Sequence, residues 1–282
     1  MIKILRIEQW AKNLIILIPA ILSSNFEVFY NFEIYIVFIS FSLLASSTYI
    51  LNDIKDLEQD KIHPEKKFRP LASGSLNLNT AYIYSISLFI VSFLITYIVN
   101  YKLLTLYLIY LGITLTYSSK LKYIKYLDFL SITTLFSIRI LIGANATRVE
   151  LTTSFILFLL FVLTLISIGK KLSILNNKQI SHNSQVKSHL IKSYRPKELH
   201  NLSIFSSLMS LIIFTFWSYQ NIELYSSRLL VSIVSIILLY LFNKSFIKDS
   251  VNAKTENFVN WVITSKNLFK VVLLCLLTLI II

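Results

Sequence analysis

Apolar residues along the 282-residue chain gather into long runs, near residues 13–30, 33–51, 80–100, 102–119, 124–146, 151–169, 199–220, 226–243 and 266–282. Each run approaches the roughly 20 residues that carry an α-helix across a bilayer. The pattern predicts an all-α, polytopic membrane protein: a bundle of about nine transmembrane helices, forming a single domain over residues 1–282. Two connections are long and polar, residues 52–79 and 170–198, while those on the opposite side are short. Function is therefore expected on the side of the long connections. The first of these reads as helix, loop, helix, closing at Ser73-Gly74 before Asn79-Thr80, an expected N-cap for the third span.

Composition agrees. A hydrophobic share of 55%, a mean hydropathy of +0.69 and only four Gly and four Pro exclude an ordinary soluble globule. Charge adds an orientation. With the N-terminus cytoplasmic, 23 of the 27 Lys and Arg residues fall on the cytoplasmic side; the other side holds Lys102, Arg148 and Arg228, and Arg139 lies inside a span. The positive-inside rule then places the long connections in the cytoplasm. The formal charge of +13 thus describes one face, suited to anionic lipid headgroups and phosphorylated substrates. No nucleic-acid partner is expected for so buried a chain. The single cysteine, Cys275, excludes an intramolecular disulfide. The first apolar run follows Lys3, Arg6 and Lys12 without a small-residue cleavage site, and is expected to stay as an anchor.

The most specific chemistry lies directly after the second run, where residues 52–60 read NDIKDLEQD. Asp53, Asp56 and Asp60 stand at i, i+3 and i+7, one face of a helix, so three carboxylates are expected to converge where a span meets water. Mg²⁺ takes oxygen ligands and commonly bridges one or two carboxylates to substrate phosphates. A solvated acidic helix end is the plainer reading, but such faces usually mix both signs. Lys66, Lys67 and Arg69 follow within ten residues and add cationic donors for phosphate oxygens, Arg bidentately and Lys as a point charge. Topology alone also accounts for basic residues in this loop.

Residues 117–122 (YSSKLK) occupy the next connection on the same side, with Asp128 six residues further on at the membrane boundary. A carboxylate there is costly unless partnered or functional. Arg139 lies eleven residues beyond, near mid-span, and must face a bundle interior or wet cavity; a structural ion pair, with Asp128 as one candidate, and a substrate contact are both open. The four histidines, His63, His182, His189 and His200, share no metal-ligand spacing, which disfavours zinc and haem. The glycines form no phosphate-cradling loop, which disfavours a nucleotide-hydrolysing pump.

Taken in order, these residues resemble the UbiA-type intramembrane prenyltransferase superfamily, and within it the decaprenyl-phosphate phosphoribosyltransferase branch. The resemblance rests on residues 6–13 (RIEQWAKN), on residues 52–60 followed by His63-Pro64 and Phe68-Arg69-Pro70, and on Tyr117-Ser118, Leu121-Lys122 and Leu127-Asp128. Ile138-Arg139, Gly169-Lys170-Lys171 and Tyr194 extend it. The branch pattern is departed from at Ile174 and at Lys266-Asn267. Superfamily members that use prenyl diphosphates usually carry a second aspartate-rich motif after the sixth span. Here residues 170–198 contain no Asp and only Glu198.

The resemblance implies transfer of 5-phosphoribose from phosphoribosyl diphosphate to a polyprenyl phosphate at the cytoplasmic face of a bacterial-type inner (plasma) membrane. Mg²⁺ is the implied cofactor, held by Asn52, Asp53, Asp56 and Asp60, with the three aspartates as the catalytic set. Lys12, Lys66, Arg69, Tyr117, Lys122, Asp128, Arg139, Lys170 and Lys171 are the implied substrate-binding residues. Two other readings stand beside it: prenyl transfer to an aromatic or other small acceptor, and an anion transporter. The transporter is disfavoured because only Arg139 lies near the midplane.

Overall fold

The computed structural model describes residues 2–22, 26–62, 66–177, 193–221, 226–255, 261–262 and 264, and among them every regular element is helical. His63, Pro64, His182, His189, Lys266, Asn267, Cys275 and the expected span at 266–282 lie outside the described residues.

The chain enters through a 3₁₀ stretch, Ile7–Leu17, continued by α1 (Ile18–Leu22), with a further 3₁₀ turn at Phe26–Tyr30. Among the described residues, the first expected span thus passes from 3₁₀ to α-helical backbone at Ile18. Pro19, without an N–H, fits only the first turn of α1. Then come α2 (Phe32–Lys55), α3 (Leu57–Ile62), α4 (Leu78–Asn100), α5 (Leu104–Ser119), α6 (Leu127–Thr147), α7 (Thr153–Asn176), α8 (Pro196–Asn221) and α9 (Ser226–Val251). Side-chain caps set several starts: Asn31 accepts the Glu33 N–H, Asn77 that of Thr80 and Thr152 that of Phe155. The cap of α4 is thus Asn77, two residues before the expected Asn79, which already lies within the helix.

Among the described residues, six stretches are long and apolar enough to cross a membrane. One, Leu78–Ser119, holds two helices. Asn100 leaves helical backbone at φ −158° and ψ 90°, and its side chain accepts the Lys102 N–H, so α4 ends and α5 begins. Ile83, Ile86, Ile90, Leu94 and Tyr97 form an exposed row along α4 at helical spacing. An apolar row of this length calls for an apolar solvent.

Two compact units are distinguishable, residues 1–120 with 138–150 and residues 121–137 with 151–282. In unit 1, α2 and α4 lie close together on small residues. Ser40 and Ser92 each donate to the other's carbonyl, at 2.9 and 2.8 Å, and Ser47 and Ser85 repeat the exchange at 2.8 and 3.0 Å. The two rungs stand seven residues apart on both helices, as antiparallel neighbours require, and small side chains permit the close approach. The N-terminal segment runs along the same helix, with Trp10 donating to Ser46 and Asn13 to Ser42. Gly143 of α6 makes room for it: a Cβ there would sit 1.9 Å from the Ile16 carbonyl oxygen.

In unit 2, α7 packs along α8, and α9 packs on both. Aromatic contacts of Phe155 and Phe158 with Phe214 and Trp217 fill one end. Phe129, Ile168, Leu172, Tyr194 and Leu199 form a buried cluster at the other charged end.

Candidate active site

The acidic motif divides between two helices. α2 ends at Lys55, Asp56 takes up a non-helical conformation (φ −93°, ψ 9°) with its N–H on the Asn52 carbonyl, and α3 begins at Leu57. The expected single-helix face is therefore broken at its middle aspartate. Asp53 and Asp60 nevertheless meet, because a cation draws them together. Arg69 Nη1 lies 3.1 Å from Asp53 Oδ1 and 2.5 Å from Asp60 Oδ2. Lys66 Nζ approaches the other Asp60 oxygen at 3.7 Å. Asp60 is buried. Its carboxylate is matched by charge-assisted bonds, which makes its burial tolerable.

Local backbone explains the placing of Arg69. The Arg69 N–H bonds to the Lys66 carbonyl, the Ser73 N–H to the Arg69 carbonyl and the Leu76 N–H to the Pro70 carbonyl, with Gly74 in the left-handed region at φ 76°. Leu71 plugs this turn into a cluster with Ile50 and Ala81. The guanidinium is thereby set over α2 and α3.

A second arginine completes the group. Arg6 Nη2 donates to Asp53 Oδ1 at 2.7 Å, and its guanidinium lies 5.7 Å from the Tyr49 ring centre. Burial lowers the Arg6 guanidinium below its ordinary value, opposed by Asp53 and reinforced by the like charge of Arg69. Sequence reasoning placed Arg6 in the family pattern but not in the site; no spacing rule links it to a residue 47 positions away.

The donor set fits a hard cation. Among the described residues no trio of His, Cys, Asp or Glu side chains is already gathered as a metal cage. Mg²⁺ does not need one, since it commonly takes one or two carboxylates and leaves further positions to water and phosphate. Asp53 and Asp60 share one guanidinium nitrogen, while the Asn52 and Asp56 side chains have no hydrogen-bond or ion-pair partner among the described residues. Oxygen donors thus stand beside cations able to take phosphate oxygens.

Unit 2 holds a separate charged group. Asp128, buried in the first turn of α6, accepts Lys171 Nζ on Oδ2. Its Oδ1 accepts the Tyr194 hydroxyl at 2.7 Å and the Phe129 N–H at 2.6 Å. The Tyr194 oxygen also accepts the Tyr126 N–H at 2.6 Å. Burial, together with the bond donated to Asp128, pushes the Tyr194 phenol well above its ordinary value. Tyr126 donates its own hydroxyl to Glu198 Oε1 at 2.5 Å, and Lys125 pairs with Glu198 at 2.8 Å. That bond raises the Lys125 ammonium. Tyr126 and Glu198 were not legible as site residues: both are surface-type residues in a basic connection, and they acquire a role only by meeting across 72 positions.

The remaining expected residues are dispersed. Arg139 is buried in unit 1, its Nε donating to Asn13 Oδ1 at 3.0 Å and its Nη2 to the Tyr110 hydroxyl at 3.2 Å, with the Phe41 and Tyr110 rings on it. It is not the partner of Asp128, which lies eleven residues back along α6, about 16 Å by helical rise. Lys12 donates to Gln9 at 2.6 Å. Tyr117 is half-buried on α5 and Lys170 exposed on α7. Lys122 lies 5.0 Å over the Tyr123 ring.

Residues 13–263 match the UbiA prenyltransferase family. The decaprenyl-phosphate phosphoribosyltransferase of Mycobacterium tuberculosis is 26% identical over 225 residues, 78% of this chain and 74% of the relative. A solved structure concerning digeranylgeranylglyceryl phosphate synthase superposes with a TM-score of 0.70 at 22% identity, covering 99% of this chain and 95% of that one. A UbiA homolog from Archaeoglobus fulgidus, solved with GPP and Mg²⁺ bound, does so with a TM-score of 0.70 at 13% identity, covering 99% of each chain.

Proposed function

The chain belongs to the UbiA prenyltransferase family, and from that premise we propose that it transfers 5-phosphoribose from phosphoribosyl diphosphate to a polyprenyl phosphate, releasing diphosphate. It is an enzyme and an integral membrane protein. The observation that carries the donor assignment is at α7. Where prenyl-diphosphate enzymes usually place a second aspartate-rich motif, this chain has Lys170-Lys171, and the carboxylate near it, Asp128, is committed to Lys171 and Tyr194. The relative named for phosphoribosyl transfer, matching over 78% of the chain, supports the same reading. The positive-inside distribution supports a cytoplasmic N-terminus and a cytoplasmic site at the charged ends of the helices.

In the transfer, the bond between C1 of the ribose and the diphosphate oxygen breaks, and its electron pair leaves with the diphosphate. An oxygen of the acceptor phosphate bonds to C1 from the opposite face, so the configuration at C1 inverts. The acceptor is already an anion, and no strong general base is required. Asp53, Asp56 and Asp60, with Asn52, would hold Mg²⁺, which when bound offsets the charge that grows on the leaving group. Arg69, Arg6 and Lys66 would donate to phosphate oxygens from where the structure holds them. Preset cations of this kind stabilise developing charge without reorganising. Lys122, Lys170 and Lys171 are further candidate cationic donors for phosphate oxygens. The isoprenoid tail belongs in lipid-facing apolar surface.

The test is transfer of radiolabel from phosphoribosyl diphosphate into organic-extractable lipid by the purified protein with polyprenyl phosphate and Mg²⁺. Labelled lipid that disappears with EDTA and with Asp56→Ala is the expected result. Folded protein that labels no lipid across several isoprenoid lengths overturns the donor assignment.

A further inference from the structure

The group around Asp128 is more organised than a buried ion pair requires. Asp128 accepts three bonds, two on Oδ1 and the ammonium of Lys171 on Oδ2, so each oxygen has an assigned direction. An ammonium carries three N–H donors. Asp128 takes one, and no further hydrogen-bond acceptor meets Lys171 among the described residues. Its nitrogen stands 5.6 Å from the Tyr194 ring centre and is nearly buried. A nearly buried ammonium with open donors is costly until an anionic or polar group meets it.

The bracket that holds Tyr194 is strained. Tyr126, two residues before Asp128, has φ 67°, a left-handed conformation that costs a non-glycine residue about 1 kcal/mol or more. Two bonds keep it there: its N–H on the Tyr194 oxygen and its hydroxyl on Glu198, itself pinned by Lys125. Residues 194–198 thus grip residues 125–126 at both ends, and the Tyr194 hydroxyl passes that constraint to Asp128.

We propose that Tyr194 is a positioning residue for substrate phosphate: by fixing one oxygen of Asp128 it sets the Lys171 ammonium to receive a phosphate group. The proposal rests on the phosphoribosyl-transfer reading. The phosphate is either that of the polyprenyl acceptor or the 5-phosphate of the donor, and the kinetics separate them. Tyr194 itself touches no reacting atom.

The experiment is steady-state transfer with wild type, Tyr194→Phe and Glu198→Gln, varying each substrate in turn and checking each variant by size-exclusion chromatography and thermal melting. Tyr194→Phe keeps the buried ring and removes only the hydroxyl. It is expected to raise the KM of one phosphate substrate by roughly tenfold, the scale of one bond to a charged group, with kcat and the other KM little changed. The substrate whose KM rises is the one Lys171 receives. Glu198→Gln, at an accessible position, is expected to move the same KM in the same direction by a smaller factor. A folded Tyr194→Phe protein with both KM values unchanged overturns the proposal, as does a lowered melting temperature with kinetics intact, which makes Tyr194 a brace only. If Tyr194→Phe does not fold, unchanged KM values in Glu198→Gln overturn it. A wild-type protein that transfers nothing refutes the phosphoribosyl reading itself, a distinct result.

Discussion

Arg139 Nε donates to Asn13 Oδ1 at 3.0 Å, across 126 residues of sequence, inside unit 1. Asn13 is fully buried and spends both ends of its amide, accepting from Arg139 and donating to Ser42 at 3.0 Å. The bond fastens the N-terminal segment, and with it Arg6, along α2. Replacing Asn13 by Leu leaves a buried guanidinium without that acceptor, and a loss of about 2–4 kcal/mol is expected. Thermal melting in detergent measures it. A double-mutant cycle of Asn13→Ala with Arg139→Gln should show coupling; additive losses would contradict the pairing.

Gly143→Ala tests the same fastening from the other side. The new methyl meets backbone, the Ile16 carbonyl oxygen at 1.9 Å, and cannot be relieved by a side-chain rotation. Destabilisation of about 1–3 kcal/mol, the usual cost of overpacking, or more is expected in the same melting experiment. Wild-type stability would show that the N-terminal segment does not lie against α6.

The three aspartates should separate by what they hold. Asp60→Ala frees Arg69 of a 2.5 Å bond in a buried setting, and should lower stability by about 1–3 kcal/mol as well as activity. Asp56→Ala removes a side chain with no bonding partner among the described residues, so it should abolish transfer while leaving the melting temperature close to wild type. Equal destabilisation by both would contradict the break between α2 and α3.

Ligand removal gives a readout independent of turnover. Mg²⁺ with inorganic diphosphate, present at about a hundredfold over its dissociation constant, should stabilise the wild-type protein by about 2.7 kcal/mol. Asp53→Asn and Asp56→Ala should lose this increment, and EDTA should reverse it. An increment that survives both substitutions would place the diphosphate elsewhere.

The extent to which all this was legible follows from the range of the interactions. Spans at α2 and α4 to α9 were readable because apolar length is a local property, and the acidic motif because its residues are near neighbours in sequence. The break at Asp56 was not, since the same spacing suits a continuous helix and only Arg69, folded back through the Leu71 turn, draws Asp60 away. The partners of Arg139 and Asp128 were equally hidden: Asn13 is 126 positions from the first and Lys171 is 43 from the second. Helical rise alone already disfavoured pairing Arg139 with Asp128. The 3₁₀ backbone of Ile7–Leu17 was hidden in the first span because hydropathy does not distinguish it from α-helix. Tyr126 and Glu198 look like surface residues until Tyr194 is set between them.

Mass spectrometry of the lipid recovered after purified protein is incubated with polyprenyl phosphate, phosphoribosyl diphosphate and Mg²⁺ decides between phosphoribosyl and prenyl transfer. A parallel incubation supplies a prenyl diphosphate and an aromatic acceptor. Phosphoribosylated polyprenyl phosphate in the first, matched by released diphosphate and absent without Mg²⁺, is the predicted result. An unmodified lipid there, together with a prenylated acceptor in the second, would contradict it and assign the carboxylates of α2 and α3 to prenyl transfer.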